Sequence, residues 1–251
     1  MGKPLSVEQR SLLVMLLTEP DARPSSLARR LGVSRQAVFY WLRRLREEGL
    51  IGPPMVYVRP DVLGLYYAFF KTAADPPPDS VLKFYTLDGD VIFAVPFKTP
   101  SQLEDLYRAY GQPWFVPNLR PRYISELQKR ALELFVNNPE VRTEELAEEL
   151  GVTRHAARRL SLWIRRNVNF FYKVDISAAG VYALAVRTRA PPASLAPYKF
   201  FRCYAYAVGF YALAFEDLRK AAAAVSMLKA SDPKTAVYVV VDYEVSVPKV
   251  E

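Results

Sequence analysis

The side chains with the most chemistry to offer stand together between Ser34 and Arg44. At helical spacing Gln36, Phe39, Tyr40 and Arg43 share one face, with Arg35 beside them and Arg44 one position on. A guanidinium presents a fork of donors that matches a phosphate or the edge of guanine, and an aromatic ring packs on a thymine methyl or a sugar. Each residue also has a plainer use: Arg35 and Arg43 as solvated surface charge, Phe39 and Tyr40 as packing under a following strand. A second set of the same character is Thr153, Arg154, His155, Arg158 and Arg159. His155 and Cys203 are the only histidine and cysteine, too few for a zinc site of the usual kind, so neither a metal nor a cofactor is expected.

The elements that must hold these side chains are legible in the flanking residues. Ser34 is a good helix cap, and after it Val38, Trp41, Leu42 and Leu45 recur at i, i+3, i+4 and i+7 as one apolar stripe. Upstream, Ser25 to Gly32 reads as a shorter helix that ends at the glycine. Two helices joined by a tight turn, the second presenting Arg, Gln and aromatics, make a helix-turn-helix whose second helix suits the DNA major groove. Ser6 to Leu17 supplies a first helix, and Ile51 to Arg59 reads as an extended ribbon with a Pro-Pro turn, the wing of a winged helix-turn-helix.

The arrangement occurs twice. Leu150 to Ile164 matches Leu31 to Leu45 at an offset of 119, and the match runs without a gap from Leu5/Ile124 to Ile51/Phe170. Identical pairs include Ser6/Ser125, Gly32/Gly151, Arg35/Arg154 and Ala37/Ala156. A match through two helix ends and both loops is read as an internal duplication. After each unit come strand signals with one helix among them: Leu63 to Thr72, Val81 to Leu87, Val91 to Phe97, a helix from Leu103 to Tyr110 opened by Thr99-Pro100, and a short strand near Trp114. Gly180 to Thr188, Tyr198 to Tyr204, Val208 to Phe215, a helix over Glu216 to Ala230, and Thr235 to Val247 repeat the order. The fold class is therefore α+β. Residues 1–59 and 121–175 are expected as winged helix-turn-helix units, and 60–120 and 176–251 as ferredoxin-like βαββαβ units.

The net charge is +8. Residues 1–57 hold nine Lys/Arg against five Asp/Glu, whereas 58–120 hold six against seven, so the positive charge gathers on the first helix-turn-helix rather than on the unit after it. No apolar run has transmembrane length, no signal peptide is read at the start, and a single cysteine excludes an internal disulfide; a cytoplasmic protein without a membrane partner is expected. Scarce Asn and Gln with plentiful Pro, Tyr and Arg agree with a thermophile and carry no functional weight.

The run Leu27-Ala-Arg-Arg-Leu-Gly-Val-Ser34 into Ala37-Val38, then Arg43-Arg-Leu-Arg-Glu-Glu-Gly-Leu-Ile51, resembles the Lrp/AsnC (feast/famine) family of transcription regulators. So do Leu63-Gly64 at the first strand and Cys203-Tyr204 with Gly209 in the second sheet. The resemblance implies a regulator that binds double-stranded DNA and a small-molecule effector, with the two copies folded as an intramolecular pseudo-dimer, sheets face to face, and a homodimer beyond that. Where the family carries an acid three residues after its glycine, this chain has Ile92 after Gly89 and Ala212 after Gly209, so the acid that serves amino-acid recognition is missing. Siroheme decarboxylases look similar in layout and carry a functional His near a Cys-Tyr pair. Here Arg202 precedes Cys203, so the expected acid/base group is absent and no catalysis is expected.

The two copies differ. The first has Ser25, Ser26, Arg29 and Arg30 where the second has Glu144, Glu145, Glu148 and Glu149, and carboxylates repel phosphate, so the first is expected to hold DNA more tightly.

Overall fold

A computed structural model of the protein describes residues 4–246. The first unit is three helices and a strand: α1 (Val7–Thr18), α2 (Pro24–Leu31), α3 (Arg35–Glu47) and β1 (Ile51–Val58). The second repeats it as α5 (Glu126–Asn137), α6 (Thr143–Leu150), α7 (Arg154–Asn167) and β5 (Val168–Val174). Between and after them lie β2 (Tyr66–Thr72), β3 (Leu82–Thr86), β4 (Val91–Phe97) and α4 (Pro100–Tyr110), then β6 (Tyr182–Thr188), β7 (Lys199–Ala205), β8 (Val208–Phe215), α8 (Leu218–Ser231) and β9 (Ala236–Val245). The architecture is mixed α+β, with an N-terminal helix-turn-helix and antiparallel sheets.

Local chemistry accounts for the helix ends. Ser6 and Ser125 close capping boxes with Gln9 and Gln128, and Thr99 does so with Gln102. Gly32 and Gly151 end α2 and α6 at φ of 66° and 63°, left-handed values that an L side chain resists. The helix expected over Glu216 to Ala230 starts two residues later, because Asp217 is its cap and accepts from the Arg219 N–H. The run Leu12-Leu13-Val14, with Leu16 and Leu17, is buried all round: α1 packs on its own helices and on the body, where Arg10 Nε donates to the Glu216 carbonyl at 2.9 Å.

The strands pair across the two halves. β1 and β5 form an antiparallel two-stranded ladder, from Pro54 opposite Tyr172 to Val58 opposite Val168. This corrects the expectation of a ribbon turning at Pro53-Pro54: each half contributes one wing strand, and the two strands complete each other. A two-stranded ladder leaves an outer edge on each strand, where the missing proline N–H costs no hydrogen bond. The exchange is physical as well as topological, since Val56 and Val58 sit in the core of α5, α6 and α7, while Phe171 and Val174 sit in the core of the first half.

The remaining seven strands make one sheet in the order β2-β4-β3-β9-β6-β8-β7, which corrects the expectation of two sheets packed face to face: the halves are joined edge to edge because both edges of β9 are paired. Within it β9-β6-β8-β7 has the ferredoxin-like order, and β9 joins the halves by pairing with β6 on one side and β3 on the other. The sheet curls until its two ends meet. Phe115 bridges to Phe69 of β2, the Asn118 N–H donates to the Tyr204 carbonyl of β7 at 2.9 Å, and the Tyr67 hydroxyl lies 3.2 Å from Cys203 Sγ. The inner face is aromatic: Phe210 stands 5.0 Å from Phe69, 5.7 Å from Phe84, 5.4 Å from Phe201 and 4.9 Å from Trp114, ring centre to ring centre. Edge-to-face contacts of this kind add to the area buried. The outer face is covered by α4 over Phe70 and Phe93, and by α8 over Leu184, Leu213 and Phe215. With both faces covered, the strands read as near-continuous apolar runs.

Burial holds the Cys203 thiol protonated, its pKa pushed up to about 11, and raises the buried Tyr57 and Tyr67 hydroxyls as well. Groups whose folded pKa is raised stabilise the fold fully below their unfolded pKa and lose that contribution as the pH climbs through the folded value. The melting temperature is therefore expected to fall steadily between about pH 9 and pH 11. The native thiol should resist alkylation at neutral pH and react only on unfolding. A flat alkaline profile with rapid native labelling would contradict this packing.

Candidate nucleic-acid interface

The site builds from Ser34 outward. Its side chain accepts from the Ala37 N–H and starts α3, and the left-handed Gly32 just before it sets the turn from α2. Val38, Leu42 and Leu45 bury the inner stripe; Trp41 is only half-buried at its margin. The opposite face is then obliged to point outward. Gln36 and Arg43 are exposed, Arg43 with 72% of its side chain in solvent and only a loose 3.7 Å contact to Glu47. Phe39 is 48% and Tyr40 54% exposed, so about half of each ring stays open to solvent beside the β1–β5 ladder. The Arg35 guanidinium covers the Phe39 ring at 5.2 Å. Phe39, Tyr40, Arg43 and Arg46 also border a groove of about 560 Å³ that reaches Pro20, Ala22 and Tyr172.

Arg44 does not join this face. It turns along the helix to Glu48 at 2.7 Å, an ion pair that raises its already high pKa. On the neighbouring helix α2, Arg23, Ser25, Ser26 and, from the last turn, Arg29 line a shallow concavity. No side chain caps this helix, so its positive end adds to the arginines. Arg30 is taken by Glu19 at 2.6 Å. Sequence reading passed over Arg23 and Arg46; their signal was position, one at the helix cap and one a turn beyond Leu42.

The second unit is built alike and charged differently. Thr153 caps α7 by accepting from the Ala156 N–H. His155, Arg158 and Arg159 are exposed on its outer face, and Leu162, 48% exposed, takes the place that Arg43 holds in α3. Arg154 is drawn off by Glu144 at 2.6 Å, while Arg142 at the start of α6 is tied to Glu145. Glu148 and Glu149 are exposed on α6. Arg165 crosses between units to Asp21 at 3.3 Å and covers Phe170 at 5.3 Å.

The residues of the alternative chemistry do not assemble. Arg202 is exposed on the outer side of β7, Cys203 faces inward, and the chain's single His stands on α7. Among the described residues no group of three or more His, Cys, Asp or Glu is placed to hold a metal. None of the described helices is long and apolar enough to cross a membrane.

A family model described as a homeodomain-like domain matches residues 4–54, the span of α1 to β1. No curated protein sequence matches the chain. Among solved structures it is similar to the crystal structure of the siroheme decarboxylase NirDL, at 14% identity over 97% of this chain and 94% of that one, with a TM-score of 0.44. The same values of identity and TM-score hold for that enzyme in co-complex with an iron-uroporphyrin III analogue. The crystal structure of PH0061 is similar over 52% of this chain and 98% of its own, at 18% identity and a TM-score of 0.34. What the chain itself carries is an N-terminal helix-turn-helix of the homeodomain-like type on an α+β scaffold of antiparallel sheets.

Proposed function

We propose that the protein is a non-catalytic, sequence-specific DNA-binding regulator of transcription of the Lrp/AsnC kind, acting in the cytoplasm, with α3 seated in the major groove. The observation that carries this reading is the outward face of α3. Gln36, Phe39, Tyr40 and Arg43 project from a helix locked by Ser34 and Val38, and Arg23 and Arg29 of the neighbouring helix line a concavity where a phosphate would lie. The β1–β5 ladder supports a two-site reading. With the 119-residue offset, its midpoint falls between Pro53-Pro54 and Tyr172-Lys173. The two-fold of an antiparallel pair is perpendicular to the ladder, so it carries α3 to α7 on the same side. The units sit at opposite ends of that ladder, so one chain presents two outward helices to a duplex. In this reading one chain serves as its own pseudo-dimer, and a small-molecule effector would act through the body.

Arg35→Ala and Arg43→Ala are expected to leave the melting temperature unchanged, since both side chains are outside the core. Each should weaken DNA binding by about 1–3 kcal/mol where the lost contact is bidentate to a base. Fluorescence anisotropy with labelled genomic fragments at two salt concentrations measures both affinity and its salt dependence. Unchanged affinity in both variants would remove α3 from the interface.

A further inference from the structure

The two helix-turn-helix units have divided their charge in opposite ways. In the first, the supporting helix α2 is basic, with Arg23 and Arg29 exposed at its ends, and the outward face of α3 is mixed: Gln36, Phe39, Tyr40 and Arg43 with Glu47. In the second, the supporting helix α6 is acidic, with Glu144, Glu145, Glu148 and Glu149, and the outward face of α7 is strongly basic. Position for position, Phe39 and Tyr40 become Arg158 and Arg159, Gln36 becomes His155, and Glu47 becomes Arg166. Arg43, central in the first face, becomes Leu162 in the second. Among the described residues neither Arg158 nor Arg159 makes an ion pair; the cation that Glu144 removes is Arg154, at the margin.

A reading helix that exchanges two aromatic rings for two guanidinium forks cannot favour the same base edges. Aromatic and carboxamide groups suit thymine methyls and adenine, and arginines suit guanine O6 and N7. An acidic supporting helix also withholds the sequence-independent phosphate contacts that would mask such a preference. We propose that the chain reads a single asymmetric duplex site with unlike halves: an A·T-bearing half contacted by Gln36, Phe39 and Tyr40 of α3, with Arg43 on the phosphate beside them, and a G·C-bearing half contacted by Arg158 and Arg159 of α7. The inference rests on the DNA-binding reading above. The first unit supplies most of the hold through phosphate, and the second supplies discrimination and fixes the direction in which the protein lies on DNA.

The test is selection from a pool of random duplexes roughly 30 bp long, about three helical turns, with the full chain as bait. The expected consensus has two unlike halves about 10 bp apart, one with A·T pairs and one with G·C pairs. Phe39→Arg with Tyr40→Arg, and separately Arg158→Phe with Arg159→Tyr, place on each helix what the other copy already bears at the same exposed positions, and a melting curve checks that each folds. The first variant should select a G·C-bearing half in place of the A·T-bearing one, and the second an A·T-bearing half in place of the G·C-bearing one. Arg158→Ala should lower affinity for the wild-type consensus about tenfold more than it lowers affinity for random DNA. A palindromic consensus from the wild-type chain, or a consensus that neither exchange alters, would overturn the asymmetric site while leaving DNA binding intact. No enriched sequence at any salt concentration would overturn both.

Discussion

Phe210→Ala is expected to destabilise the whole protein by about 3–5 kcal/mol, the usual cost of deleting a fully buried aromatic ring. The ring is completely shielded and touches Phe69, Phe84, Trp114 and Phe115 from the first half and Phe201 from the second. Because these neighbours come from strands at opposite ends of the sheet, the cavity cannot close by a local shift of one strand. The loss should appear as a drop of about 10 °C in a single cooperative melting transition. Phe39→Ala, on the exposed face of α3, should change stability by no more than about 0.5 kcal/mol. Two separate transitions in the Phe210 variant, one near the wild-type temperature, would mean that the halves hold together without this core.

Cutting the chain between its halves is expected to have the second large effect. Residues 1–120 alone would lose β9 from the side of β3, β5 from the side of β1, and the strands β7 and β8 on which α1 rests. Residues 121–251 alone would lose Val56 and Val58 from the core of α5, α6 and α7, and would expose the inner faces of Phe201 and Phe210. Each half should therefore lack a cooperative melting transition on its own. Mixing equal amounts should restore one, with an associated species in sedimentation at the mass of the intact chain. Two halves that each melt sharply alone, and stay apart when mixed, would show that the shared sheet and ladder contribute little to stability.

What residues 4–54 needed in order to be read as a helix-turn-helix lay in the sequence itself. Caps at Ser6 and Ser34, the left-handed turn at Gly32 and the stripe of Val38, Leu42 and Leu45 are contacts among neighbours a few residues apart, and each leaves a local signature of residue type and spacing. The outward face of α3 followed, because once the inner stripe is assigned the other residues have nowhere else to point. The second copy was legible for the same reason, through its match to the first.

The partners of the strands were not legible. Ile51 to Val58 has the composition of a strand, but nothing in it names Val168 to Val174, more than a hundred residues away, as its neighbour. The Pro-Pro pair looked like a turn because proline more often marks one; the tertiary structure uses Pro54 in a ladder position opposite Tyr172 instead. β9 likewise reads as a strong strand with no sign that both of its edges are taken, one by each half. Register across such distances is decided by which faces can be buried together, here the aromatic inner face around Phe210, and that depends on every strand at once. The same holds for charge. Composition placed arginines on α7 and glutamates on α6, but only the folded geometry selected Arg154 for Glu144 and left Arg158 and Arg159 facing outward, because an ion pair depends on a few ångströms that helical spacing alone does not define.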